Sequence, residues 1–266
     1  MARADTQEPQ AAAAAVEPKP AAVAASDAAG SDESWLQQRT GYRALLHDIL
    51  QHRIVGGPRW AYVFGSLLLI ALVNQVLTGA LLMAFYAPSA TDAWASVAYI
   101  QDQVRWGWLI RGLHSSGASL LMIGVVLHMV QVAVYGAYRA PREVNWWTGL
   151  LLALLVMGFA LTGYLLPWDQ KGYWATQVAT TLMGATPLIG TTLQQLVQGG
   201  KGYGNLTLTH FYSLHVFVLP LGLLTLVLLH LSVFRRHGVT PHWRRSSEDL
   251  AQTSEAFWPR QAVYDL

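Results

Sequence analysis

Four long apolar blocks, separated by polar segments, dominate the pattern of hydrophobic and polar positions along the chain. The blocks cover residues 60–86, 109–138, 146–166 and 209–234, and each is long enough to cross a bilayer as a helix, which needs about 20 residues. We call them predicted spans A, B, C and D. They predict an all-α fold, an integral membrane four-helix bundle within residues 60–240.

The flanking segments have a different character. Residues 1–34 are rich in Ala, Pro, Glu and Ser without an uninterrupted apolar core, which predicts a disordered cytoplasmic tail rather than a secretory signal. Residues 35–59 mix apolar and basic positions and predict an amphipathic interfacial segment. Residues 241–266 are expected to form a cytoplasmic C-terminal tail.

Basic residues predict the orientation of the spans. Arginines precede span A, lie between B and C and follow D, whereas the A–B and C–D connections carry few basic side chains. Because Lys and Arg are enriched on the cytoplasmic side of membrane proteins, both termini should be cytoplasmic and spans B and D should run inward.

Composition narrows the possible functions. The 266 residues are 53% hydrophobic and 12% charged, and the net charge of +2 is too small to indicate a nucleic-acid partner. The chain contains no cysteine, which excludes disulfides, iron–sulfur ligation by its own thiolates and covalent attachment of a c-type haem.

Two histidine pairs lie within the apolar blocks. His114 and His128 are fourteen residues apart in span B, and His215 and His230 are fifteen apart in span D. At about 1.5 Å and 100° per residue, the members of each pair lie roughly 21 Å apart and nearly share a helix face. Two facing helices of this kind would offer two stacked bis-histidine sites, His114 with His215 and His128 with His230, which suit the iron of two non-covalent haems b.

Histidines within membrane spans can also have other roles. A single histidine in a span is most often a packing residue or part of a proton relay, but four at matched depths favour metal ligation. His210 is the one rival to His215, yet five residues correspond to about 140° around a helix, so it should face away.

Glycines and arginines extend the pattern. The fourteen-residue interval recurs in one glycine pair of span A, Gly65 and Gly79, and in one of span C, Gly149 and Gly163. Glycine has no side chain, so these positions favour close approach of a flat macrocycle or of another helix. Arg111 lies one turn before His114, where pairing with a haem propionate is favoured over a topological role. For Arg142 and Arg235, on the cytoplasmic side, the two explanations remain equal.

Three segments carry a resemblance to a known family. RGLHSSGASLLMIGVVLH, GYLLPWDQKGYWA and LTHFYSLHVFVLPLGLLTLVLLH resemble the N-terminal four-helix domain of the cytochrome b family, closest to its b6 form. The resemblance covers roughly residues 35–240. The fifteen-residue interval in span D is the b6 form, whereas the mitochondrial form has fourteen.

The resemblance implies roles for individual residues. His114 and His215 would bind the outer, low-potential haem b, and His128 and His230 the inner, higher-potential one. Arg111 matches a propionate-pairing arginine, and the four glycines match haem-packing positions. The loop that begins with Pro167, Trp168 and Asp169 would form part of an outer quinol-oxidation pocket, while Asp48 and Arg235 match polar residues near an inner quinone site.

The resemblance also implies a complex in a bacterial inner membrane. Family members split the two electrons of a quinol between a Rieske iron–sulfur protein, which serves a cytochrome c-type or plastocyanin-like acceptor, and the two haems, which reduce quinone on the inner side. Four spans lack the later helices and the PEWY motif of the outer site, so a separate subunit should supply them and this chain alone should not oxidise quinol. The complex is expected to be homodimeric. Val63 replaces the cysteine that tethers an extra c-type haem in b6 relatives, and His210 replaces an arginine of plant relatives.

Two alternatives remain open from sequence. A dihaem membrane anchor of a dehydrogenase or hydrogenase would also use bis-histidine haems, but it should lack PWDQ and the shared glycine interval. A non-catalytic helical scaffold or transporter would use the histidines for packing or proton relay.

Overall fold

The structure is a computed structural model that describes residues 34–240 and 246–265. Most of the tail expected at 1–34 and part of the one expected at 241–266 therefore lie outside the described residues. The chain divides into two compact units, residues 1–49 and 50–266, and each is described by itself.

The described part of the first unit contains two short helices. Helix α1 (Trp35–Thr40) begins where the Ser34 hydroxyl accepts a hydrogen bond from the Gln37 amide, and it ends at Gly41, whose φ of 60° favours glycine. Helix α2 (Tyr42–Leu50) follows directly, and its last residue, Leu50, begins the second unit. The predicted interfacial segment thus begins with helical structure.

The described residues of the second unit include four helical spans, at the positions that the apolar blocks predict. They are α3 (Val63–Met83), α5 (Gly107–Val134), α6 (Glu143–Leu165) and a composite span over Asn205–His237. All are long and apolar enough to cross a membrane. The all-α membrane bundle is confirmed, although α3 ends at Met83 instead of residue 86 and α5 ends at Val134 instead of residue 138.

The fourth span has three parts. It contains α9 (Asn205–Ser213), a π-helical turn (Leu214–Val218) and α10 (Leu219–His237). The π turn is defined by a hydrogen bond from the Leu219 amide to the Leu214 carbonyl, five residues earlier. Pro220 directly follows Leu219. Because proline has no amide proton, one regular α-helical hydrogen bond cannot form here. The pattern of apolar residues did not predict this turn.

Shorter helices connect the spans at one end of the bundle. Helix α4 (Ala93–Asp102) lies between the first two spans, and helices α7 (Gln170–Gly184) and α8 (Gly190–Gln198) lie between the third and fourth. Helix α3 packs mainly against α5, and α6 packs mainly against α10.

An apolar core lies half-way along the bundle. Leu121, Val156 and Leu223 are buried together, with partly buried side chains of α3 such as Leu72 packed against them. Leu121 is seven residues from both His114 and His128, so this apolar layer separates the depths of the two histidine pairs.

The C-terminal residues fold back onto the start of the first span. Strand β1 (Arg53–Ile54) pairs antiparallel with β2 (Glu255–Ala256), and helices α11 (Ser247–Gln252) and α12 (Arg260–Asp265) flank β2. Tyr264 stacks on Trp60 with ring centroids 4.9 Å apart. The Arg59 amide donates to Oε1 of Gln261, which is buried. We call residues 255–265 the C-terminal latch.

Candidate haem site

The first histidine pair comes together between the second and fourth spans. His114 on α5 and His215 in the π turn have ring centroids 6.3 Å apart, with ring planes inclined at 74°. Phe159 of α6 lies edge-on to His215 at 5.4 Å. The sequence prediction that His114 and His215 face each other therefore matches the structure.

The separation of these rings fits one metal ion between two axial imidazoles. Two metal–nitrogen bonds of about 2 Å, plus about 1 Å from each nitrogen to its ring centre, place the centroids about 6 Å apart. No cluster of three or more His, Cys, Asp or Glu side chains suited to a metal ion occurs among the described residues. Two imidazoles alone are sufficient for porphyrin-bound iron, because the macrocycle supplies the other four ligands.

The second histidine pair repeats the arrangement deeper in the bundle. His128 lies two turns beyond Leu121 on α5, His230 lies on α10, and the two are close enough to interact electrostatically. Both side chains are half-buried. The structure thus brings together the two pairs that the spacing predicts.

The π turn explains how unequal intervals give matched pairs. His114 and His128 are fourteen residues apart, whereas His215 and His230 are fifteen apart. Because a π turn contains one extra residue, fifteen residues through it cover the same number of turns as fourteen in a regular α-helix. His215 lies inside the turn, so the extra residue is absorbed where the ligand is presented.

Each predicted glycine lies beside one histidine ring. A Cβ added to Gly163 would lie 2.7 Å from Cε1 of His215, and one added to Gly79 would lie 3.1 Å from Cε1 of His114. The corresponding distances are 3.4 Å from Gly149 to His230 and 3.7 Å from Gly65 to His128. The glycines therefore make room for the imidazoles, most tightly at Gly163.

Three threonines hold the histidines from the neighbouring spans. Their Oγ1 atoms each lie 2.9 Å from an imidazole Nδ1, and the pairs are Thr78 with His114, Thr162 with His215 and Thr148 with His230. Nδ1 of His128 instead lies 3.3 Å from Oε1 of Gln131 on its own helix. In each of these four contacts the ring atom is Nδ1, which leaves Nε2 for a metal.

Two of the arginines singled out from the sequence lie at the starts of α5 and α6. Arg111 is exposed one turn before His114, and its guanidinium donates to Oε1 of Gln101 at 2.8 Å. Arg142 precedes α6 and donates to the His237 carbonyl at 3.0 Å. Its buried Nε lacks a hydrogen-bond partner within the described residues, which makes it the better placed of the two for an additional anionic group.

The proposed quinol-pocket loop begins where α6 ends, at the level of Gly163 and His215. Trp168 adopts a φ of 50° and lies edge-on to Tyr173, with centroids 5.6 Å apart. The Asp169 carboxylate accepts a hydrogen bond from the Gly172 amide at 2.8 Å and caps α7. Asp169 therefore has a structural role as a helix cap, which is separate from any role in quinol oxidation.

The same end of the bundle carries a half-buried tyrosine that sequence reasoning did not single out. The Tyr86 hydroxyl donates to the Leu166 carbonyl at 2.7 Å, and its ring stacks on Tyr212 at 5.4 Å. Burial, with a smaller contribution from Tyr212, raises the pKa of Tyr86, so it remains a neutral hydrogen-bond donor.

Of the two residues assigned to an inner quinone site, only Arg235 has a described side chain. Arg235 is exposed in the last turn of α10. The side chain of Asp48 lies outside the described residues. His210 bonds the Leu206 carbonyl of its own helix at 2.7 Å and takes no part in either histidine pair.

Sequence reasoning missed the three threonines and the π turn. A signal for the threonines was present, because Thr78, Thr148 and Thr162 each directly precede one of the spaced glycines. Pro220, five residues after His215, was a signal for irregular helix geometry.

Comparisons with known proteins agree with this geometry. The family model described as "Cytochrome b/b6/petB" matches residues 55–238. Cytochrome b6 of Gloeobacter violaceus is 39% identical over 206 residues, which are 77% of this chain and 96% of that relative. Cytochrome b6 of Rippkaea orientalis is 37% identical over 206 residues, with 77% and 93% coverage.

A solved structure is also similar. A chain of "Hyperthermophilic respiratory Complex III" superposes with a TM-score of 0.74 at 30% sequence identity, over 87% of this chain. The match spans 62% of the solved chain's length.

Proposed function

Because the chain belongs to the cytochrome b family, we propose that it binds two non-covalent haems b and carries electrons across a membrane. One haem is held by His114 and His215, and the other by His128 and His230. Each haem, when bound, supplies one-electron redox chemistry at its own depth. The observation that carries this proposal is that two histidine pairs lie at different depths, on either side of an apolar core. In one of these pairs, His114 and His215, the ring centroids are 6.3 Å apart.

The side chains around each pair have distinct tasks. The histidines would hold the haem iron, and the neighbouring glycines leave the imidazoles the space they need. Arg111 and Arg142 would each pair with a haem propionate through the guanidinium. The layer around Leu121 excludes water between the two depths.

We place the chain in a quinol oxidoreductase, as a subunit that is not catalytic alone. Its relatives are named cytochrome b6, and the solved neighbour is a respiratory Complex III. The quinol is oxidised at the outer end, beside Pro167, Trp168 and Asp169, and quinone is reduced at the inner end, near Asp48 and Arg235. This transfer contributes to proton translocation, and both termini lie in the cytoplasm of a bacterium.

The proposed assembly has further members. A Rieske iron–sulfur protein takes the other electron of the quinol and passes it to a cytochrome c-type acceptor. A separate PEWY-containing subunit completes the outer site, and the whole complex is a homodimer. No covalent c-type haem is expected, since the chain has no cysteine.

The test is purification of the tagged chain in its native complex, with mild detergent. We expect a pyridine haemochrome assay to give two haems b per chain, both extracted by acidic acetone and both reduced by a quinol analogue. A Rieske signal in electron paramagnetic resonance should accompany the chain. For comparison, the variant His114→Leu, which lacks one proposed iron ligand, should retain one haem and lose quinol-dependent reduction.

Two results would contradict the proposal. A colourless protein would favour a scaffold or transporter. Two haems with a copurifying dehydrogenase or hydrogenase, and without a Rieske signal, would favour a dihaem membrane anchor.

A further inference from the structure

A threonine–glycine pair faces three of the four histidines. In each pair the glycine leaves room for the imidazole ring, and the preceding threonine places Oγ1 2.9 Å from Nδ1 of the same ring. The pairs belong to α3 and α6, the two spans that supply no histidine of their own: Thr78–Gly79, Thr148–Gly149 and Thr162–Gly163.

We propose that Thr78, Thr148 and Thr162 are positioning residues that fix the tautomer and orientation of the iron-binding histidines. This inference rests on the proposed function, because it concerns how the rings are prepared for haem iron. It assigns to these threonines the task of keeping the proton on Nδ1 and the lone pair on Nε2.

The direction of each hydrogen bond follows from proton counting. A threonine hydroxyl has one proton, and each of these hydroxyls also approaches a backbone carbonyl of its own helix. The distances are 2.6 Å from Thr78 to Asn74 and 2.7 Å from Thr162 to Gly158. Oxygen atoms this close require the proton between them, so the hydroxyl donates to the carbonyl.

The ring must therefore be the donor in the second bond. Since the only hydroxyl proton is already used, Oγ1 accepts from the imidazole, and Nδ1 carries the proton. Thr148 has the same arrangement, with the Asn145 carbonyl at 2.9 Å. All three threonines are buried, with 5–6% of their surface exposed, and the low local polarity strengthens the bond.

His128 is the exception. Phe64 precedes Gly65 in the position where the other three pairs have threonine. The partner of His128 Nδ1 is Oε1 of Gln131, at the longer distance of 3.3 Å. An amide oxygen also accepts, so the tautomer is the same, but a flexible side chain of the same helix replaces a hydroxyl fixed on a neighbouring span.

The bond has an electronic consequence for the iron. An acceptor on Nδ1–H makes the imidazole a stronger donor and favours the ferric state, which lowers the midpoint potential. The His114–His215 site has two threonine acceptors, whereas the His128–His230 site has one. Removal of one hydroxyl should therefore raise the midpoint potential of its own haem and leave the other unchanged.

The experiment compares Thr162→Val, Thr162→Ser and Thr225→Val in the purified native complex. Valine retains the shape of threonine without the hydroxyl, and serine retains the hydroxyl. Thr225, in the same span as His215, donates to the Leu221 carbonyl at 2.9 Å but is exposed, and it has no histidine partner among the described residues. It is therefore the matched control. The readouts are haem content and the two midpoint potentials, measured by redox titration with chemical mediators.

We expect Thr162→Val to raise one midpoint potential, and Thr162→Ser and Thr225→Val to match the wild type. If Thr162→Val instead loses one haem, retention of that haem at its normal potential in Thr162→Ser also supports the inference. An unchanged potential in Thr162→Val, equal shifts of both haems, or a serine variant as impaired as the valine variant would overturn it.

Failure of the proposed function would be recognised separately. Wild-type protein with two haems that quinol does not reduce would contradict the quinol oxidoreductase assignment. The mediator titrations would still test the threonines, because they require no quinol.

Discussion

The closest approach in the site, between Gly163 and His215, allows a graded test of the glycine pattern. In Gly163→Ala the new Cβ would lie 2.7 Å from Cε1 of His215, and ordinary contact begins at 3.4 Å. The difference, 3.4 − 2.7 = 0.7 Å, is the distance by which ring and helix must separate. It exceeds the tolerance of about 0.5 Å that functional sites usually allow.

The same substitution at Gly65 is the matched control. There the new Cβ would lie 3.7 Å from Cε1 of His128, which is an ordinary contact. Alanine normally stabilises a helical position by about 0.5–1 kcal/mol relative to glycine. Gly65→Ala should therefore retain both haems, whereas Gly163→Ala should weaken retention of one haem by about 10-fold or more, as changes to ligand-supporting groups typically do.

The assay is haem content per chain, followed by redox titration of whatever haem remains. We expect two normal components in Gly65→Ala and selective loss or perturbation of one component in Gly163→Ala. Two unperturbed haems in both variants would show that the argument from Cβ space is wrong. Equal loss of both haems in both variants would show that the glycines serve helix packing instead.

Three further outcomes are expected. His128→Leu should leave one haem that quinol still reduces but whose electron does not reach the inner side, which flash or stopped-flow spectroscopy would detect; loss of the low-potential signal would mean that the proposed orientation is inverted. Asp169→Ala should destabilise the complex by about 1 kcal/mol through loss of the α7 cap, measured as a lower melting temperature, while Asp169→Asn should retain the cap; activity lost in both variants at normal stability would indicate a role in substrate oxidation. Tyr264→Ala should weaken the latch by about 1 kcal/mol through loss of its stacking on Trp60, which faster cleavage of the C-terminal residues by added protease would report; unchanged cleavage would show that the stack is dispensable.

The features that repeat along the chain could be predicted from sequence. The four spans follow from the length of the apolar blocks, and the histidine pairs follow from helix geometry. Both depend on local periodicity, which a single sequence carries. The two glycine pairs were found in the same way, because they repeat the fourteen-residue interval of the histidines in span B.

Features that depend on contacts between distant segments could not be predicted in the same way. The bond between Thr162 and His215 joins residues 53 positions apart, and its partner becomes identifiable only when α6 lies beside the fourth span. The latch joins Arg59 to Gln261 across 202 positions, in a region whose composition resembles a polar tail. The π turn was missed for another reason: it changes hydrogen bonding without changing the apolar pattern.

The π turn at Leu214–Val218 also bears on how sequences of this family are aligned. When two sequences are aligned, a gap of one residue within the fourth span ordinarily suggests that one of its two histidines has rotated away from its partner on the facing helix. Here the additional residue is confined to a single widened turn, so chains with fourteen or fifteen residues between the two histidines can present the same pair of imidazoles. A deletion inside 214–218 should therefore be tolerated if the turn reverts to regular α-helix, whereas a deletion within α10 would rotate His230 by about 100° relative to His215. The length of the interval alone is a poor guide to the geometry of the ligands, and the location of the extra residue is the informative quantity.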